Sequence, residues 1–230
     1  MPLLTADLDW NVLTWIEFVR GATAYRDHFS RQAREDAAYL ACYRALRRED
    51  SMLARVGRSR EIVTFLNAWA CRLDSKKAPA VFRGWIYAHG SELEELGLVA
   101  LTDRDVPSLS REVDGLYDSV IALRSELHNM SDAAASKVLH QLVPDLFVMW
   151  DKTIKQVAMM QGYGRYSGFL VAMHELSRRL LDQADMTRDE AEVYLQRELG
   201  YSTRKTFAKY VDEANWYWTV GRYSALRGAQ

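Results

Sequence analysis

One stretch of the sequence, from Leu127 to Ile154, predicts a helix, a break and a second helix: LHNMSDAAASKVLHQLVPDLFVMWDKTI. Ser131 is a preferred N-cap residue, so a helix is expected to begin at Asp132. Pro144 interrupts the helical pattern, because proline lacks the N–H group that a helix interior needs. The apolar path then resumes and ends at Asp151. The region is therefore expected to deliver a carboxylate behind a short turn and a helix.

The carboxylate of Asp151 has two interpretations. Aspartate is a preferred N-cap residue, so Asp151 could simply cap a helix that starts at Lys152. It could also be the catalytic group of the chain, since a helix N-terminus favours the ionised form of a carboxylate. The turn upstream of the first helix favours the catalytic interpretation.

Apolar residues recur at helical spacing along almost the whole chain, which predicts an all-α fold. One helix face is marked by i, i+3, i+4, i+7 spacing at Ile62, Phe65, Leu66 and Trp69. The segment that begins at Phe207 has the same spacing. No part of the sequence alternates apolar and polar residues over the length of a strand.

Composition and charge limit the classes of function. The chain has 230 residues, of which 49% are hydrophobic, enough to bury a sizeable core. Its formal net charge is -1, so a nucleic-acid partner would have to bind a local basic face. Cys42 and Cys71 do not form a ligand set for zinc or an iron–sulfur cluster, and we expect no metal and no cofactor.

The N-terminus and the apolar runs bear on the cellular compartment. The opening sequence MPLLTADLDWNVL carries acidic residues where a signal peptide has a basic region. No apolar run approaches the ~20 residues that are needed to span a bilayer. We therefore expect a cytoplasmic protein without a membrane partner, and we expect it to be a monomer.

Two patches of the sequence resemble the helix-hairpin-helix DNA glycosylase superfamily, and the first of them contains two matching segments, Leu127–Ala135 and Phe147–Asp151. LHNMSDAAA (Leu127–Ala135) aligns without a gap with the family's hairpin, which often reads L-P-G-V-G-x-K-T-A. FVMWD (Phe147–Asp151) aligns with the apolar segment that ends in the family's aspartate. EIVTFLNAWACRL (Glu61–Leu73) is similar to the family helix that carries an L-S-A-Q-like sequence beside the flipped nucleotide.

The resemblance implies an all-α, two-lobed fold of the helix-hairpin-helix DNA glycosylase type with a cleft between the lobes. Residues 1–230 would form a single unit. Lobe A would combine residues 1–58 with residues 151–230. Lobe B would span residues 59–150 and would contain the hairpin, residues 127–135. DNA would be the partner, because the target base is flipped out of the duplex into the cleft.

The chain also departs from the family pattern at important positions. Both hairpin glycines, which allow the close approach of a phosphate, are replaced by Asn129 and Ser131. Asparagine tolerates left-handed backbone in a tight turn, so Asn129 could still form the hairpin. The family's lysine nucleophile aligns with Ala133, which implies a monofunctional enzyme that does not cut the strand. Lys137 lies one helical turn further along, where it could be a nucleophile, a contact to a DNA phosphate or a plain surface lysine.

The resemblance implies a role for Asp151 and suggests residues around it. Its carboxylate would stabilise the positive charge that builds on the sugar as the N-glycosidic bond breaks. A flipped base also needs aromatic walls and polar groups that read its edge. The candidates for this pocket are Asn67, Trp69, His140, Gln141, Trp150, Trp216 and Trp218. For each tryptophan, packing in the core is the alternative role.

DNA binding is expected at the hairpin-like turn. The N–H groups of Asn129, Met130 and Ser131 would bind a phosphate, with Arg72 nearby. Further positive charge around the phosphate could come from Arg44, Arg47, Arg48, Arg204 and Lys205.

The sequence thus predicts a monofunctional DNA glycosylase that flips a modified or damaged base and leaves an abasic site. Its substrate could be a damaged base or a hypermodified base of phage DNA, such as glucosylated hydroxymethylcytosine, which would place the enzyme in antiviral defence. The alternative is a non-catalytic protein that binds DNA or another partner on the same scaffold.

Overall fold

The computed structural model of the protein describes residues 8–29 and 33–221. Within these two ranges every regular element is a helix, which confirms the all-α prediction. The first six α-helices are α1 (Trp15–Phe29), α2 (Ala33–Arg47), α3 (Met52–Arg55), α4 (Ser59–Ala68), α5 (Ala78–Ala88) and α6 (Gly90–Leu96). The next six are α7 (Ser110–Ala122), α8 (Asp132–Leu142), α9 (Lys152–Met160), α10 (Tyr166–Ala184), α11 (Arg188–Glu198) and α12 (Phe207–Trp216).

Short helical segments of other types complete the described chain. The 3₁₀ helices are Trp10–Val12, Val56–Arg58, Val106–Leu109 and Leu123–Ser125. A π-helical segment, Tyr217–Gly221, follows α12 directly. No helix among the described residues is long and apolar enough to cross a membrane.

Both predicted helix starts in the stretch from Leu127 to Ile154 are confirmed. Ser131 is the N-cap of α8, and its side chain accepts a hydrogen bond from the N–H of Ala134. Helix α8 ends at Leu142, two residues before Pro144, as expected from the missing proline N–H. Asp151 is the N-cap of α9. These local signals fix where the connection between the two helices begins and ends.

One hydrophobic core runs through the described chain. Its buried members include Phe18 and Tyr210 from predicted lobe A, and Phe82 and Leu139 from predicted lobe B. Helix α1 packs along α12, α2 packs on α4, and α8 packs on both α4 and α7. The division into two lobes and the cleft between them stay predictions, since the core connects the two groups of helices.

Candidate functional site

The Asp151 carboxylate uses one of its two oxygens to cap α9. Its Oδ1 atom accepts hydrogen bonds from the N–H groups of Thr153, at 2.8 Å, and of Ile154, at 2.9 Å. Its Oδ2 atom receives no hydrogen bond from any described residue. The capping interpretation is therefore confirmed, and it leaves the second oxygen available for another role.

The pKa of the Asp151 carboxyl is raised by burial, which disfavours the charged form. The two backbone hydrogen bonds and the ammonium group of Lys137 act in the opposite direction and lower the pKa. Asp212 raises it further, because two negative charges repel each other. Asp151 thus has an environment in which opposing effects compete, as is common at functional sites.

A small pocket brings four of the candidate residues together. It is lined by Tyr25, Trp69, Lys137, Met149, Asp151, Ile154, Asp212 and Trp216. The lining comes from helices α1, α8, α9 and α12, from the end of α4 and from the segment before α9. Its open volume is about 20 Å³, which is room for about one water molecule. Trp69, Lys137, Asp151 and Trp216 therefore share one site, although they lie far apart in the sequence.

Aromatic rings form the walls of this pocket. The ammonium group of Lys137 lies over the Trp69 ring, 5.0 Å from its centre. The Trp216 ring meets the Tyr25 ring edge to face, with 5.6 Å between the ring centres. Such rings offer flat apolar surfaces on which a nucleobase can stack. Trp216 is also the last residue of α12, directly before the π-helical segment, and π-helical turns are frequent at functional sites.

Behind the pocket lies a cluster of buried charges on and around α12. Lys205 contacts Asp36 at 2.9 Å and Glu213 at 2.7 Å. Lys209 contacts Asp212 at 2.7 Å and Glu213 at 3.5 Å. Two buried lysines thus contact the buried carboxylates of Asp212 and Glu213 and the partly exposed carboxylate of Asp36. Buried charges of this kind are tolerated only when they are paired with good geometry.

The cluster changes the pKa values of its members. Burial alone would lower the pKa of Lys209, but the carboxylates of Asp212 and Glu213 outweigh burial and raise it. Burial raises the pKa of Asp212, while Lys209 and Lys137 lower it. Asp212 belongs both to the cluster and to the pocket lining, so the charges of the cluster act on the pocket through it.

Four residues that line the pocket were not among the sequence candidates: Tyr25, Met149, Ile154 and Asp212. Met149 and Ile154 flank Asp151 in the sequence and could have been inferred from it. Tyr25 and Asp212 come from the first and the last α-helix, and no motif marks them. In α12, however, Lys209 and Asp212 are three positions apart on one face, and this spacing is typical of an ion pair.

Three predicted pocket residues lie in the interior instead. His140 is fully buried: its Nδ1 atom lies 2.6 Å from the carbonyl oxygen of Phe147, and its Nε2 atom lies 3.2 Å from the Tyr39 hydroxyl. The indole N–H of Trp150 donates to the hydroxyl of Tyr117 at 2.9 Å. Gln141 is buried, and its amide forms no hydrogen bond with a described residue. None of the three side chains lines the pocket.

Asn67 and Trp218 also serve local packing. The Asn67 side chain accepts from the N–H of Leu73, at 2.7 Å, and donates to its carbonyl oxygen, at 3.0 Å. It therefore holds the segment after α4 in place. The Trp218 ring is half-buried and packs against Gly21 of α1 so closely that a β-carbon there would lie 2.9 Å from its Nε1 atom. Both side chains support the elements that carry Trp69 and Trp216.

The hairpin-like turn contacts this same segment after α4. The side-chain amide of Asn129 donates to the carbonyl oxygen of Arg72 at 2.8 Å. The left-handed backbone that Asn129 would tolerate occurs instead at Ala70, with φ 58°, and at Arg72, with φ 54°. Met130 is almost completely buried, and its N–H donates to the carbonyl oxygen of Leu127 at 2.8 Å, so the predicted phosphate contact of this N–H group is wrong. An open groove of about 370 Å³ lies between the turn and this segment.

Several of the expected basic residues are already paired. Lys205 is fully buried in the charge cluster, so its expected role in surface charge is wrong. Arg47 pairs with Asp145. Arg204 pairs with both Glu192 and Asp189 through contacts of 2.8 Å. Arg72 is exposed at the groove beside the turn.

A larger groove lies elsewhere, between α3, α6 and the end of α8. It measures about 630 Å³ and includes Arg47 and Arg55. The Arg55 guanidinium donates to the carbonyl oxygen of Leu142 at 2.8 Å. This groove contains none of the candidate residues named for the pocket. No group of three or more His, Cys, Asp or Glu residues in the described ranges is placed to hold a metal ion.

Comparison of the chain with protein-family models, with curated proteins and with solved structures finds no match. The chemistry of the pocket and the resemblance of two sequence patches are therefore what a functional assignment rests on.

Proposed function

We propose that the protein is a monofunctional DNA glycosylase, in which Asp151 assists the departure of a base flipped out of DNA. The observation that carries the proposal is the position of Asp151. It caps α9 with one oxygen and lines a pocket between Trp69 and Trp216. The second oxygen is free to face a ligand in that pocket.

The chemistry of N-glycosidic cleavage fits a carboxylate in this setting. As the base leaves, positive charge builds on the sugar, and a fixed negative charge beside C1′ stabilises it. The backbone N–H groups of Thr153 and Ile154 favour the ionised form of Asp151. Water needs little room, and the pocket already has space for about one molecule.

Stacking between tryptophans would hold the flipped base. The closed pocket is too small for a base, so Trp69 and Trp216 must separate when DNA binds. Trp216 stands where α12 passes into the π-helical segment, and Trp69 is the C-cap residue of α4. Both are terminal positions of an element, which are the positions that commonly absorb a conformational change.

DNA would approach along the turn before α8. The turn and the segment after α4 are joined by the Asn129–Arg72 hydrogen bond and border the same open groove. The groove is lined by Arg72 and Lys77 and also by Asp74 and Glu126. The exposed Arg72 can contact phosphate, whereas the Lys77 ammonium group already donates to the Glu126 carbonyl oxygen at 2.9 Å. The formal net charge of the chain is -1, so DNA binding must depend on such a local face. We expect the enzyme to act as a monomer in the cytoplasm.

Lys137 favours a second candidate, a glycosylase that also cuts the strand. An amine nucleophile would form a Schiff base with the sugar, and Lys137 lies in the same pocket as Asp151. The family's lysine position, by contrast, holds Ala133. Borohydride reduction traps a Schiff base covalently on DNA. A trapped complex that disappears in Lys137→Met would establish the lyase, and no trapping during base release supports the monofunctional enzyme.

The experiment that tests the proposal measures bases released from DNA by mass spectrometry. The substrates are oligonucleotides with oxidised, alkylated or mismatched bases and phage genomes with hypermodified cytosine. Asp151→Asn is the test variant, because asparagine keeps the N-cap and removes the charge. Asp132→Asn is the matched control, since Asp132 pairs with Lys155 outside the pocket.

Release of one base by the wild type and Asp132→Asn, with none released by Asp151→Asn, would support the glycosylase and identify its substrate. Release that persists in Asp151→Asn would refute the role of Asp151. If no DNA yields a base while the protein still binds DNA, the non-catalytic alternative replaces the proposal.

A further inference from the structure

One of the two carboxylate oxygens of Asp212 does not bond to Lys209. Its Oδ2 atom accepts a hydrogen bond from the Lys209 ammonium group at 2.7 Å. Its Oδ1 atom receives none from the described residues. The side chain is almost completely buried, yet it lines the pocket that also contains Asp151. Two carboxylates from different helices, α9 and α12, therefore face one small space.

Asp212 also belongs to the charge cluster behind the pocket. Lys205 and Lys209 lie among three carboxylates, those of Asp36, Asp212 and Glu213. Asp36 is partly exposed to solvent, so the buried part of the cluster consists of two lysines and the two carboxylates of Asp212 and Glu213.

Pairing with Lys209 alone does not account for Asp212. Glu213 already lies 3.5 Å from the Lys209 ammonium group, so Lys209 would keep a carboxylate partner without Asp212. Lys137, which lines the same pocket, lowers the pKa of both Asp212 and Asp151. Lys137 therefore favours the charged forms of both carboxylates that line the pocket.

We propose that Asp212 is a second catalytic carboxylate, which faces the reacting sugar together with Asp151. This inference rests on the proposed glycosylase function. As the base leaves, both carboxylates stabilise the positive charge on the sugar from different sides, and Lys209 positions Asp212. Two carboxylates around one sugar are a recurring arrangement in the hydrolysis of glycosidic bonds.

Two DNA probes test the charge contact without knowledge of the base. One duplex carries a pyrrolidine abasic nucleotide, whose ring nitrogen is protonated and imitates the cationic sugar. The other carries a neutral tetrahydrofuran abasic nucleotide at the same position. The ratio of the two dissociation constants reports the negative charge beside the sugar. A general loss of structure lowers both affinities and leaves that ratio unchanged.

The wild type should prefer the cationic probe, and Asp212→Asn should reduce this preference by about tenfold or more, which corresponds to 1.4 kcal/mol. Asp212→Glu keeps the charge and should retain most of the preference. Glu213→Gln is the matched control, because it removes a carboxylate from the same cluster but not from the pocket. Its ratio should stay within about twofold of the wild type.

Asp212→Asn leaves Lys209 with fewer partners and could unfold the protein. The double variant Lys209→Met with Asp212→Asn removes both partners of the pair, which buried sites tolerate better. It should show the same loss of preference.

Three results would overturn the inference. The first is an unchanged ratio in Asp212→Asn or in the double variant. The second is an equal loss in Glu213→Gln, which would mean that only the general field of the cluster matters. The third is a wild type without preference for the cation, or a preference that Asp151→Asn leaves intact. This last result would refute the glycosylase itself, whereas the first two leave it standing.

Discussion

The ammonium group of Lys137 lies 5.0 Å from the centre of the Trp69 ring, so a positive charge and an aromatic wall of the pocket are in direct contact. Lys137 forms no ion pair with a described residue. Its charge therefore acts on the pocket as a whole, where it lowers the pKa of both Asp151 and Asp212. Lys137 is in this way coupled to the ionisation of both carboxylates.

Replacement of this lysine should change the titration of Asp151. In Lys137→Met the pKa of the Asp151 carboxyl should rise, because the cation that favours its charged form is gone. Carbon-13 NMR of the aspartate carboxyl groups, followed during a pH titration, measures the change. Lys155→Met is the control, since Lys155 lies 5.4 Å from the centre of the Trp150 ring and does not line this pocket. An unchanged pKa of the Asp151 carboxyl in Lys137→Met would contradict the coupling of Lys137 to Asp151.

Two substitutions of Asp151 should change the stability differently, because only Asp151→Ala removes the helix cap. Asp151→Ala loses the N-cap and should lower the free energy of unfolding by about 1 kcal/mol. Asp151→Asn keeps the cap and removes a partly buried charge. The folded-state pKa of Asp151 is raised, so the wild type loses stability relative to Asp151→Asn as pH rises through the ordinary titration range of aspartate.

Asp151→Asn should therefore be at least as stable as the wild type at pH 7, with a smaller difference in acid. Urea unfolding at both pH values measures it. If Asp151→Asn is clearly less stable than the wild type at pH 7, burial does not disfavour the charged form of Asp151.

His140 should make the fold sensitive to mild acid. Burial lowers its pKa to about 3, and the neutral ring fits its two contacts: Nδ1–H donates to the Phe147 carbonyl oxygen, and Nε2 accepts from the Tyr39 hydroxyl. An unfolded histidine has a pKa of about 6.5, so the unfolded state binds the proton first. Stability is therefore complete above about pH 6.5 and falls as pH decreases toward 3.

Between pH 7 and pH 5 the loss due to His140 should be on the order of 2 kcal/mol. Urea unfolding of the wild type and of His140→Gln measures it, because glutamine does not titrate. The variant should be less stable than the wild type at pH 7. The difference between their free energies of unfolding should be smaller at pH 5. An equal difference in the free energy of unfolding at pH 7 and at pH 5 would show that His140 does not titrate as stated.

Local signals in the sequence were enough to predict the all-α fold and the starts of α8 and α9. Ser131 and Asp151 act as N-caps because their side chains bond to backbone N–H groups two or three residues away. Such contacts depend on neighbours in the chain, and a sequence pattern can therefore reveal them. The same holds for the apolar stripe of α4, which the structure buries at Ile62 and Phe65.

Contacts between distant parts of the chain could not be predicted in this way. Asp212 and Tyr25 reach the pocket through the packing of α12 against α1, which no local pattern specifies. Lys205 looked like a surface charge because lysine is rarely buried. It is buried because Asp36 and Glu213, from two other places in the sequence, surround it. The charge balance of a buried cluster is a property of the fold.

The contact between Gly21 and Trp218 should make glycine essential at this position of α1. A β-carbon on Gly21 would lie 2.9 Å from Trp218 Nε1 and 3.2 Å from the Ala214 β-carbon, so the ring or the helix must move. Gly21→Ala should lower the free energy of unfolding by about 1–3 kcal/mol. It should also shift the indole fluorescence, because α12 carries Trp216 of the pocket.

Gly84→Ala is the matched control, since Gly84 also lies within a helix, α5, and a β-carbon there would have no neighbour within 4 Å. Alanine there should raise the free energy of unfolding by about 0.5–1 kcal/mol, owing to the better helix propensity. Urea unfolding of both variants checks the pair. Equal effects of the two substitutions would contradict the close packing of Trp218.

The segment after α4, which borders the open groove beside Asn129, contains two residues with strained backbone. Ala70 and Arg72 both have left-handed backbone, which costs roughly 1–2 kcal/mol for a residue with a side chain. Glycine removes this cost but makes the unfolded chain more flexible. Arg72→Gly and Ala70→Gly should therefore leave the free energy of unfolding unchanged or raise it by up to about 1 kcal/mol.

The two variants should differ in DNA binding, because only Arg72→Gly removes a charge. Its affinity for a duplex with the tetrahydrofuran abasic nucleotide should fall, and the slope of log K against log salt should decrease by about 1. Ala70→Gly relieves the same kind of strain and should bind with the wild-type affinity and slope. Fluorescence anisotropy between about 50 and 200 mM salt, conditions chosen for the strong salt dependence of phosphate contacts, measures both. Equal behaviour of the two variants would mean that DNA does not contact this groove through Arg72.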